Sequence, residues 1–323
     1  MGTGDLHRLF DAGEYADCLQ RGQTMLEQED LSLHERARLH ALLCRCRVEA
    51  GDLLGAVTDG EAAIDLAGQL GLPDLRGSAL VDLAIALIGL RRYAEALDRL
   101  DQFQAGLSAS TSARCLEGLA LRLQGEALLA AGRPSDAAPR FAQARRWFDR
   151  FGDQASVGVC LLGELEAALD MADAPTAAAI IREGEAHYRA VPDDQPFLGR
   201  LLLLWARYHE LGGKQQEAVN AAFQALELAE PLTPLQVEAQ LHLSRLADQM
   251  NRPTDALSFA FAARVTAIDG RLYILEMRAT GLFLRLLHRH GEAPLRELVR
   301  DLAREGIDLY QYVDPGELAH GRE

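Results

Sequence analysis

Four side chains between residues 34 and 46 are of the kinds that hold a metal: His34, His40, Cys44 and Cys46. Thiolate and imidazole together suit zinc. His40 and Cys44 stand four apart and share one face of a helix, whereas Cys46 points elsewhere. A second fragment, His290-Gly-Glu292, matches part of a zinc-deaminase signature, but no C-x-x-C follows it. Lys214 is the only lysine among 33 basic residues, and it lies in Gly212-Gly-Lys-Gln215. That segment lacks the G-x-x-x-x-G-K-[ST] spacing of a loop that cradles phosphate. No G-x-G-x-x-G, G-x-S-x-G or H-E-x-x-H occurs either. The 48 carboxylates are spread along the whole chain, with no isolated pair suited to acid–base work. These residues predict a protein that is not an enzyme and carries no cofactor.

The elements that must position any site are set by eight turn signals spaced 38 to 41 residues apart. They begin at Gly13, Gly51, Arg91, Gly132, Asp173, Gly213, Asn251 and Gly291. Most continue with an aromatic, Leu or Pro two residues on and a small residue three further, as in Arg91-Arg-Tyr93-Ala-Glu-Ala96. Each signal separates two helical patterns. Leu80, Leu83, Ala84 and Leu87 mark one helix face before Arg91; Ala96, Leu97, Leu100 and Phe103 mark another after it. Breakers such as Gly71-Leu-Pro73 and Glu230-Pro-Leu-Thr-Pro234 close one pair and open the next. Self-similarity at this period signals a stacked solenoid. It also re-reads the metal-like cluster: Cys44 occupies the small-residue packing position filled elsewhere by Ala84, Gly125 and Ala206. A free cysteine packs well as a small hydrophobe, so the preferred reading gives the chain no metal site.

Small-x-aromatic-x-x-Ala between two helices resembles the tetratricopeptide repeat. Around Gly132 the match is fullest: Leu121, Gly125 and Leu128 precede the turn, and Ala137, Phe141 and Ala144 follow it. The period exceeds the usual 34 residues, which is similar to the longer arrays of bacterial signalling proteins such as Rap-type peptide receptors. The resemblance implies an all-α, right-handed α-solenoid of about eight helix-turn-helix repeats. The units run approximately 4–30, 33–69, 74–107, 113–150, 154–189, 196–229, 234–269 and 272–305 within a single array, followed by a tail from 306 to 323. The run Ile307–Val313 is expected to dock on the last helix, and Pro315 onward to be loose.

The resemblance further implies that the first helix of each pair lines a concave face. Carried over position by position, that face holds Arg38 and Arg45 before Gly51, Val81, Ile85 and Ile88 before Arg91, and Arg122 before Gly132. It continues with Arg200 and Arg207, then Arg245, then Arg278 and Arg285. The position six residues before the turn is arginine at 45, 207, 245 and 285. Val81, Ile85 and Ile88 break the pattern as an apolar patch.

Composition bounds the partners. The net charge is -15 with a pI near 5.1, which disfavours nucleic acid. The longest apolar stretches are too short to span a bilayer, no secretory signal is present, and five scattered cysteines suit a reducing cytoplasm. The expected function is a cytoplasmic scaffold for a protein or peptide segment, acidic in part and carrying an aliphatic anchor. The alternative is a bacterial sensory receptor whose curvature responds to a small peptide or metabolite.

Overall fold

The computed structural model describes residues 3–28, 30–106, 111–191, 194–231 and 233–313. Among them every regular element is helical: sixteen α-helices and one short 3-10 turn. The chain divides into two compact units, Met1–Met171 and Ala172–Glu323.

The first unit holds α1 (Thr3–Asp11), α2 (Tyr15–Leu26), α3 (Leu33–Glu49), α4 (Leu53–Gln69), α5 (Pro73–Gly89), α6 (Tyr93–Ala105), α7 (Thr111–Ala130), α8 (Pro134–Arg150) and α9 (Gln154–Asp170). Each helix packs on the next, and α1, α3, α5, α7 and α9 also pack on one another in succession. The odd-numbered helices therefore form one layer and the even-numbered helices a second. Helix starts are set locally. Ser32 and Glu35 form a capping box on α3, and the Asp52 and Asp153 side chains accept backbone N–H groups at the starts of α4 and α9. The pairs lock through small-on-large packing. Ala137, Phe141 and Ala144 are buried on α8, and the Phe141 ring fills the space left by Gly125 and Gly163.

The second unit holds α10 (Ala174–Ala190), α11 (Gln195–Leu211), α12 (Gln215–Leu228), α13 (Pro234–Gln249), α14 (Pro253–Asp269), α15 (Tyr273–His290) and α16 (Glu292–Arg304). Here α11, α13 and α15 pack on one another in succession, each also meeting its even-numbered neighbours. Asp173, Asp194 and Thr233 cap α10, α11 and α13. The segment after α16 docks as its apolar run requires: Leu309 and Val313 are buried with Phe261, Phe283, Leu298 and Leu302. Residues 314–323, including the stretch from Pro315, lie outside the described residues.

Left-handed residues end the first helix of each pair at Gly13, Gly51, Arg91, Gly132, Ala172, Gly213, Asn251 and Gly291. One of these departs from the sequence expectation, because Ala172 takes the left-handed conformation and Asp173 the N-cap. A carboxylate one residue later gains a bond to the Thr176 N–H at 3.2 Å, which offsets the strain of a Cβ in that region.

Candidate ligand-binding face

In the second unit the odd-numbered helices bring four of the expected arginines into one electrostatic cluster. Arg207 comes from α11, Arg245 from α13, and Arg278 and Arg285 from α15. Arg278 and Arg285 are seven apart, two helical turns, and so share a face. The guanidinium of Arg245 has its pKa lowered, first by desolvation and then by the charge of Arg278, with Arg207 and Arg285 adding to it and Glu210 opposing. An arginine remains charged at neutral pH regardless, so the lowering reflects burial first and the neighbouring arginines second.

The surrounding acids are largely occupied. Asp248 accepts from Arg289 and from His290 Nε2, the latter at 2.6 Å. Glu210 accepts from Gln249 Nε2 at 2.5 Å. Among the described residues, no carboxylate lies within salt-bridge distance of Arg245, Arg278 or Arg285. Arg245 Nε donates only a long bond to the Leu241 carbonyl, at 3.4 Å. Arg285 reaches back over Gly281, where a Cβ would stand 3.3 Å from its guanidinium. His242 is buried beneath the cluster with Nε2 3.6 Å from Glu210. Burial, then repulsion from Arg245 and Arg207, holds its pKa down at about 4, against the pull of Glu210. The imidazole is thus neutral at physiological pH. Arg200 stands apart from the four. It lines a cavity of about 390 Å³ with Glu238, Leu228 and Leu235, between the starts of α11 and α13 and the end of α12.

The first unit is arranged differently. Arg38 and Arg45 are exposed on α3. Arg45 lies 3.7 Å from an Asp82 carboxylate oxygen and 5.3 Å from the centre of the Phe10 ring. Arg122 is half-buried on α7 and bonds Glu126 on its own helix. Arg45 and Arg122 thus each have an acidic side chain beside them.

The apolar patch expected on α5 needs correction. Val81 is 1% exposed and belongs to the core, while Ile85 and Ile88 are partly buried and pack against it. The reason is geometric. α5 is flanked in its own layer by α3 and α7, so only a narrow strip of it stays open. The position ten residues before the turn has rotated out of that strip.

Sequence reading missed the position nine residues before the turn. It carries Asp82 on α5, Glu164 on α9 and His242 on α13, all ionisable and largely buried. Burial raises the Asp82 pKa to about 7, Arg45 opposing and Glu49 reinforcing. Glu164 is held by Arg145 Nε at 2.7 Å. The signal was available, since an ionisable residue recurs at one repeat position inside otherwise apolar helix segments.

The residues read as metal-like fall into separate environments. His40 Nδ1 pairs with Asp59 at 2.8 Å, and Arg47 Nε donates to the same carboxylate at 2.7 Å. Cys44 is fully buried, facing Gly60 and Leu83, and burial pushes its thiol up to about 12. Among the described residues no group of three or more His, Cys, Asp or Glu is placed to hold a metal ion. No helix among them is long and apolar enough to cross a membrane.

This architecture is a helical-repeat fold, an array of α-helix pairs packed in two layers within each unit. No protein-family model matches the sequence, and no curated protein sequence matches it. The fold is nonetheless shared with solved structures. The apo form of RapI is similar with a TM-score of 0.63 at 9% identity, over 93% of this chain and 85% of that one. The apo form of the quorum sensor NprR from B. thuringiensis is similar at 0.56 and 13% identity, over 99% of this chain and 90% of that one. A signal-transduction ATPase with a tetratricopeptide repeat sensor, from Pyrococcus horikoshii, is similar at 0.55 and 11% identity. This chain is covered over 95% of its length in that comparison, and the ATPase over 47%.

Proposed function

We propose that the protein is a non-enzymatic binding scaffold that captures an acidic protein or peptide segment on the odd-numbered helices of its second unit. The observation that carries this reading is the convergence of Arg207, Arg278 and Arg285 on Arg245. Like charges gathered around Arg245, which Glu210 offsets only in part, raise the free energy of the unliganded protein. A ligand bearing several carboxylates relieves that repulsion while forming forked guanidinium–carboxylate bonds. Arg200, in the same unit, then serves as a flanking contact.

A sensory role is the second reading. It is favoured by the likeness to NprR, described as a quorum sensor, and to an ATPase whose repeats are described as a sensor. In that case the ligand shifts a population between two arrangements of the array. Selection from a random peptide display library tests the binding reading. Enrichment in Asp and Glu with depletion of Lys and Arg is expected; recovery of basic or neutral sequences contradicts it. Small-angle scattering with and without a selected peptide separates the two roles, because only the sensor changes its radius of gyration.

A further inference from the structure

Cys18 on α2 and Cys46 on α3 are both fully buried, and their sulfur atoms lie 3.1 Å apart. The Cys46 thiol donates to the Cys18 sulfur, and the Cys18 thiol points at the Leu6 carbonyl oxygen 3.5 Å away. Leu6, Leu39, Leu43 and Met25 complete a dry pocket around them. A disulfide bond is about 2.05 Å long, so an approach of roughly 1 Å joins the two sulfurs across facing helices. Neither thiol takes part in the binding face described above. We propose that Cys18 and Cys46 are a latent disulfide, which forms when a low-molecular-weight disulfide such as glutathione disulfide is in excess and staples the first helix pair to α3.

The route follows from where the pair sits. Among the described residues α1 and α2 make their main packing contacts with each other and with α3, and an element held by so few neighbours opens locally more readily than one packed on every side. Opening α2 from α3 wets both sulfurs. One thiolate, having released its proton to water, attacks the glutathione disulfide and expels a first glutathione thiolate. The second cysteine thiolate then attacks the mixed disulfide and expels the other. The two cysteines lose two electrons and two protons, and the glutathione disulfide gains both as two molecules of glutathione. The product constrains the open and unfolded states more than the native one. It also fixes α3, and so Arg45, relative to the α1–α2 pair that carries Phe10. Cys115, which is exposed, is the competing target for simple glutathionylation.

The test treats the full chain with glutathione disulfide, quenches by acid, alkylates under denaturing conditions and measures intact mass and peptide linkage. The expected result is two fewer alkylatable thiols than the five cysteines, a Cys18–Cys46 linked peptide, and unchanged helicity. The melting midpoint should rise by about 3 °C or more and fall back on adding dithiothreitol. Cys18→Ala and Cys46→Ala should each abolish the linked peptide and the rise. Glutathione adducts confined to Cys115, a linkage using any other cysteine, or linkage only after the helices are melted would overturn the proposal.

Discussion

At the scale of single residues, Arg245 and Asp82 show opposite uses of burial. Arg245 keeps its charge although burial and neighbouring arginines oppose it, whereas Asp82 avoids its charge. With its pKa raised from 3.8 to about 7, Asp82 stays protonated in the folded protein over a range where the unfolded chain ionises it. The folded state binds the extra proton, so this group's contribution to stability is full below about pH 4 and is lost as pH rises through 7. Replacing Asp82 by Asn removes that loss. In urea denaturation, the advantage of Asp82→Asn over wild type should grow between pH 4 and 7 by up to about 1.4 kcal/mol per unit. A pH-independent difference would mean that Asp82 is ionised in the fold. The recurrence of arginine at one repeat position was legible in the sequence, because the repeat register aligns 45, 207, 245 and 285. The charge state of Asp82 was not legible, since it depends on how α3 and α7 close around α5 in three dimensions.

At the scale of elements, the helix pairs were readable from turn residues and apolar spacing, and their packing at the Gly132 turn follows the resemblance closely. Gly163 shows what holds neighbouring pairs together. A Cβ built there would stand 2.6 Å from the Phe141 ring of the preceding helix. Gly163→Ala should therefore destabilise the first unit by roughly 1–3 kcal/mol despite alanine's better helix propensity. Thermal melting checks this, and an unchanged or raised midpoint would show that Phe141 moves aside freely. Val81 marks the limit of reading elements from sequence. One residue rotates a helix by about 100°, and the width of the open strip on α5 is decided by its neighbours in the layer. An apolar residue at a nominally concave position was for that reason core. The turn at Ala172 teaches the same lesson on a smaller scale, because the competition between a left-handed residue and an N-cap is settled by one hydrogen bond.

At the scale of the whole molecule, the protein is acidic, with a net charge of -15, yet one face of its second unit is locally basic. In the proposed binding mode such a contrast would steer an acidic segment toward a single address rather than to the surface at large. Binding in that mode would depend steeply on ionic strength, because charge-assisted contacts on a partly open face are screened by salt. The most direct measurement is a fluorescence-anisotropy titration of a labelled octaglutamate peptide into wild type and into the Arg245→Glu, Arg278→Glu double variant, with circular dichroism to confirm equal helicity. The account predicts at least a tenfold loss of affinity in the variant and loss of wild-type binding in high salt. Equal affinity in the two proteins, or equal binding of an octalysine peptide to wild type, would contradict it.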